Sequence, residues 1–138
     1  MERKVAWIGS TMYHKAQIIS MQDEFGVTVE EHRFADDGLS ILLKERYPLI
    51  IVRDQIVEGR LILPTDIEPD DYCGISCYFI KEVRKNSVNK ETPLVVPRSN
   101  SSLTPIEKYM AAGATKCFTT FSGQPLEFFN DQVREYLK

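Results

Sequence analysis

The sequence lacks any concentration of charge of one sign. Its 17 Lys and Arg and 20 Asp and Glu are interspersed and leave a net charge of −3. That is no footprint for a nucleic-acid backbone, so no nucleic-acid partner is expected. Long hydrophobic runs are missing too. The longest span four or five residues, far short of a membrane crossing. The opening "MERKVAWIGS" carries basic charge without an apolar stretch of signal-peptide length, and a cytoplasmic protein is expected. Cysteine is scarce and odd in number: Cys73, Cys77 and Cys117, with no CxxC pair. Free thiols in a reducing compartment are the simplest expectation. A zinc site would need His14 and His32 to converge on Cys73 and Cys77, and the spacing does not support that. Repeats and low-complexity segments are absent.

What remains is a chain of 138 residues, 43% apolar and 27% charged, the size and make-up of one globular domain. Its pattern alternates. "KVAWI" (4–8) is a short apolar run opening onto Gly9-Ser10-Thr11, a buried strand reaching a turn. Met12, Ala16, Ile19 and Phe25 then recur at helical spacing up to Gly26. "VTVEEHRF" is a weaker strand. Asp36-Asp37-Gly38 opens a helix whose face is Leu39, Leu42 and Leu43, with acids suited to the positive helix start. "PLIIV" reads as a strand covered on both faces. Ile75, Phe79, Ile80 and Val83 mark a third helix.

"TPLVVP" predicts a buried strand ended by Pro97, which has no N–H to donate. "TPIE" (104–107) has the capping-box pattern with Pro105 at the first helical position, and Gly113 closes that helix. "KCFTT" is the fifth strand, with Phe118 in the sheet core, and Leu126, Phe129, Val133 and Leu137 line a last helix. Trp7 and Tyr13 are expected in or near the core, and His14 on a helix surface. Five βα units in succession predict an α/β fold: a doubly wound parallel sheet with helices on both faces. Ligands bind such sheets at the carboxyl ends of the strands. That rule brings Gly9, Ser10, Asp54, Arg98 and Thr120 towards one another.

"ADDGLSILLKERYPLIIVRD" (35–54) resembles the second helix and third strand of the response-regulator receiver domains related to the chemotaxis regulator. "GISCYFIKEVRKN", "TPLVVPRS" and "AAGATKCFTTF" resemble their third helix, fourth strand and fifth strand. The resemblance covers nearly the whole chain as one domain, residues 1–138, and implies the strand order 2-1-3-4-5. It places Asp54 at the phosphoacceptor position. The family's metal-binding acid pair falls on Gly9 and Ser10, its switch hydroxyl on Arg98, its lysine on Thr120, its switch aromatic on Cys117 and the following proline on Phe121. Only the aspartate survives.

Phosphoryl transfer to a carboxylate crowds anionic oxygens that Mg²⁺ and a lysine must neutralise, and Mg²⁺ in such sites is held mainly by carboxylates. Gly9, Ser10 and Thr120 supply none of this. Ser99 is adjacent to Arg98, but one step along a strand reverses a side chain. The expectation is therefore a degenerate pseudo-receiver: a non-enzymatic signalling module that binds a protein partner and needs no cofactor. In receivers the usual partner surface is the fourth helix, fifth strand and fifth helix, here Ile106, Lys108, Tyr109, Lys116, Cys117 and residues of the last helix. The alternative is a two-component or phosphorelay receiver phosphorylated on Asp54 with Mg²⁺.

A second alternative is a flavodoxin-like binder holding a phosphate, as of FMN, or a nucleotide at Gly9–Thr11. Arg98 is expected either to pair with Asp54, in competition with Arg53, or to point to solvent. The long stretch from about 54 to 74 is expected to pack its Leu61-Ile62-Leu63 back on the sheet end, or to form a lid or docking surface, or to rebuild a metal site from Asp66, Glu68, Asp70 and Asp71. The sequence names neither partner nor oligomeric state.

Overall fold

The computed structural model describes residues 3–138. The elements run β1 (Arg3–Ile8), α1 (Lys15–Phe25), β2 (Val27–His32), α2 (Ala35–Leu42), β3 (Ile50–Val52), α3 (Tyr72–Asn86), β4 (Leu94–Ser99), α4 (Ile106–Ala112), β5 (Lys116–Thr120) and α5 (Leu126–Leu137). The strands form one all-parallel sheet in the order β2-β1-β3-β4-β5. This is the flavodoxin-like topology expected from the alternation.

Two apolar layers cover the sheet, and strand alternation divides them. Ala6, Ile8, Ile50, Val52, Leu94 and Val96 face the helices α2, α3 and α4, which contribute Leu42, Ile75, Phe79, Ile80, Val83 and Tyr109. Val5, Trp7, Ile51, Val95 and Phe118 face α1 and α5, which contribute Met21, Phe129, Val133 and Leu137. Gly38 lets α2 approach β1 closely, since a Cβ there would lie 2.9 Å from Ile8 Cδ1. Among the described residues, no helix is long and apolar enough to cross a membrane.

Several boundaries differ from expectation. β4 does not end at Pro97 but runs to Ser99. Pro97 is tolerated because β3 pairs with β4 only at Ile50–Leu94 and Ile51–Val95, leaving the upper part of β4 bonded to β5 alone. Thr104 forms no capping box: α4 starts at Ile106 after an extended Pro105, without a side-chain cap.

The helix faces shift as well. α1 begins at Lys15, and its inward face is Ile18, Met21 and Phe25. Met12 and Ile19 are exposed, as is Tyr13, which is 77% exposed and not near-core. Leu43 and Leu126 also lie largely outside. The chain between β3 and α3 packs back on the body of the domain. Val57 bridges Phe34, its carbonyl accepts from Ala35, and Leu61, Leu63 and Ile67 pack on the α2–α3–α4 core, with Ile62 left outside. Asp71 caps α3 by accepting from Gly74 N–H at 2.9 Å.

Candidate functional site

The carboxyl ends of β1, β3, β4 and β5 converge, and Asp54 sits just beyond β3. It is nearly closed off from water. The residue is 1% exposed, and one carboxylate oxygen, Oδ2, accepts the Ser99 backbone N–H at 3.0 Å. Its own carbonyl accepts the Tyr109 hydroxyl at 3.0 Å, and the neighbouring Arg53 carbonyl accepts Ser76 Oγ at 2.6 Å. The turn is thus tied to β4, α4 and α3 together. Tyr109 is fully buried, and burial with the neighbouring Cys73 pushes its phenol upward, so the hydroxyl stays protonated as a donor. Its expected place on a partner surface is corrected: the sequence pattern did not signal that this aromatic turns inward.

Arg98 does not pair with Asp54. Its Nε donates to the Thr104 carbonyl at 2.7 Å and its Nη2 to the Ser102 carbonyl at 2.9 Å, so it fastens the chain leading into α4. Backbone carbonyls within six residues outcompeted a carboxylate already supplied with an amide donor. Ser99 turns its hydroxyl to Ser101, at 2.9 Å, and gives Asp54 only its amide. Thr120 stands opposite Ser99 in register and contacts the Arg98 carbonyl at 3.4 Å. Cys117 is half-buried, and burial raises its thiol to about 11, well outside the reactive range.

The cation at the end of β1 is Arg53. Gly9 has φ +112°, and a Cβ there would meet Arg53 Cβ at 3.0 Å, so the arginine stem occupies the space a side chain at position 9 would need. Arg53 Nη1 lies 3.4 Å from the Ser10 carbonyl, and its Nε is buried without a partner. His14 also departs from expectation. It is buried, not on a helix surface, with its ring 5.2 Å from Trp7. Burial first, and the Arg53 charge second, lower it to about 4, so it is neutral at physiological pH.

The Gly9–Thr11 turn has two of its three amide donors engaged within the chain. Gly9 N–H goes to the His32 carbonyl, Met12 N–H to Ser10 Oγ, and Thr11 N–H to the Glu31 carboxylate at 2.8 Å. The Glu31 carboxylate occupies the Thr11 amide where a flavodoxin-like loop would hold its phosphate, which argues against that loop at residues 9–11.

With this geometry in view, the comparisons are plain. No family model matches the sequence, and no curated protein does. Solved structures match throughout. The chemotaxis response regulator CheY4 of Vibrio cholerae is similar at TM-score 0.71 with 18% identity, over 99% of this chain and 100% of that one. A response regulator from Hahella chejuensis is similar at 0.69 with 20% identity, over 98% and 92%. The receiver domain of a sensor histidine kinase from Pseudomonas aeruginosa, solved with a coordinated magnesium ion, is similar at 0.70 with 11% identity, over 99% and 98%. The chain has the receiver fold.

A receiver fold implies Mg²⁺ beside the acid, and the residues here do not fit that ion. Positions 9 and 10 carry no carboxylate, Asp54 is sealed by Ser99, and the arginine stem fills the space over Gly9. Among the described residues, no group of three or more His, Cys, Asp or Glu could hold a metal, the acids of the 54–74 stretch included.

Proposed function

We propose that this chain is a signalling module of receiver fold that acts by binding a protein partner, without Mg²⁺-dependent phosphorylation of Asp54. The observation that carries this is the state of Asp54: 1% exposed, with Oδ2 engaged by the Ser99 amide. A carboxylate that attacks phosphorus in line needs a free oxygen facing solvent and cations beside it. Here the neighbouring cation, Arg53, packs over Gly9 at a backbone angle that also disfavours an aspartate. The phosphorylated alternative has in its favour only the position of the acid.

The partner surface we propose is α4, β5 and α5. Ile106, Lys108 and the exposed Met110 lie along α4, and Lys116 lies on β5 beside Glu135 and Tyr136. Cys117 contributes only its half-buried edge. The test is an amide NMR titration with Mg²⁺ and then beryllofluoride. No shifts at Asp54, Ser99 or Thr120 are expected. Saturable shifts there would overturn the proposal.

A further inference from the structure

A cleft of about 650 Å³ opens between the start of α1 and the turn joining β5 to α5. It lies on the α1–α5 side of the sheet end, and Asp54 is not among its lining residues. In a chain of net charge −3, the charged residues lining it, among the described residues, are Lys15 and Arg53. Its volume falls within the ordinary range for small-molecule sites. Two of its walls hold buried polar atoms with no partner, His14 Nδ1 and Arg53 Nε, and His14 itself is 7% exposed. The first turn of α1, an 11-residue helix, adds N–H groups and the positive end of its dipole. Thr120 contributes a hydroxyl. The rim is aromatic: Tyr13 is 77% and Phe121 49% exposed, and both line the opening.

The half-buried Arg53 guanidinium and helix N–H groups, with aromatic rings at the mouth, define a ligand with a compact anionic head and an apolar, planar body. We propose that this cleft binds a small organic phosphate monoester noncovalently, its phosphate at Arg53 and the start of α1 and its ring against Tyr13 and Phe121. A guanidinium offers a phosphate paired donors, which an ammonium cannot. The inference rests on the reading of Asp54 as a sealed acid, because a free carboxylate beside Thr120 would repel the anion.

The test uses phenyl phosphate as the probe, without metal, followed by amide NMR on the full chain. Saturable shifts at Tyr13, Thr120 and Gly123 are expected in the low millimolar range. Arg53→Gln should weaken binding by roughly ten-fold or more, the scale of a lost charge-assisted pair. Phe121→Ser changes an exposed side chain and leaves the fold intact. It should weaken phenyl phosphate several-fold and leave inorganic phosphate unchanged, as expected for a ring contact. No saturable shift, or binding indifferent to both substitutions, would overturn the proposal. A covalent phosphoryl adduct on Asp54 together with unchanged phenyl phosphate binding would defeat the functional reading and leave the cleft assignment standing.

Discussion

The two ends of the sheet handle their polar groups in opposite ways. At the amino-terminal end, Asn89 is fully buried and every one of its side-chain bonds is made. Nδ2 donates to the Leu42 and Glu45 carbonyls, both at 2.7 Å, while Oδ1 accepts from Tyr47 N–H at 2.9 Å and Thr92 Oγ1 at 3.0 Å. Arg84 beside it donates to the carbonyls of Gly113, Asn89, Lys90 and Thr92 and to Thr115 Oγ1. At the carboxyl-terminal end, His14 Nδ1 and Arg53 Nε are buried and unpartnered, next to an open cleft. A saturated polar network holds helices and strands in register. An unsaturated one retains capacity for something else. The difference separates a saturated end that acts as scaffold from the end where the proposed cleft lies.

The sharpest way to break the comparison is at Asn89. Asn89→Ala removes the partner of three buried groups, Leu42 C=O, Tyr47 N–H and Thr92 Oγ1, and of the part-buried Glu45 carbonyl. A loss of about 3 kcal/mol is expected, measured by urea unfolding. A loss below about 1 kcal/mol would mean that this end is no scaffold.

The next effect is at the other end and depends on pH. His14 titrates near 4 in the folded chain against 6.5 as a free side chain, so the unfolded chain takes up the proton first. Stability from this residue is present above pH 6.5 and is lost as pH falls towards 4, with an expected span on the order of 2 kcal/mol. His14→Gln should flatten that part of the curve relative to the unsubstituted protein, as followed by thermal melts between pH 7 and about 4. Parallel curves for the two proteins would show that His14 is not held neutral.

Arg98→Ala gives the smallest effect. Two bonds to loop carbonyls disappear at a half-buried position, so the loss should be about 1 kcal/mol. Amide exchange should quicken at residues 100–104 and stay unchanged at Asp54. Faster exchange centred on Asp54 would restore the pairing that the structure rejects.

These cases also show what a sequence carries. The run "PLIIV" and the spacing of Ile75, Phe79, Ile80 and Val83 report burial directly, because apolar periodicity and sheet packing are the same physical demand. The absence of acids at Gly9 and Ser10 and of a lysine at Thr120 was equally visible. What stayed hidden were choices among polar partners. Arg98 and Arg53 carry the same group, and only the path of the chain after Ser99 gives one of them carbonyls and leaves the other over Gly9.

Tyr109 and Met110 differ by one step on α4, yet one is sealed beneath Asp54 and the other is 41% exposed. The α1 face failed for a related reason. Met12, Ala16 and Ile19 form an apolar stripe as regular as Ile18, Met21 and Phe25, and periodicity alone does not rank two stripes.

The most direct test of the central claim is intact mass after incubation with acetyl phosphate and Mg²⁺, with Asp54→Asn alongside. No adduct is expected on either protein. A single phosphoryl addition on the unsubstituted chain, absent from Asp54→Asn, would contradict it and show that the Asp54 carboxylate leaves Ser99 and opens to solvent.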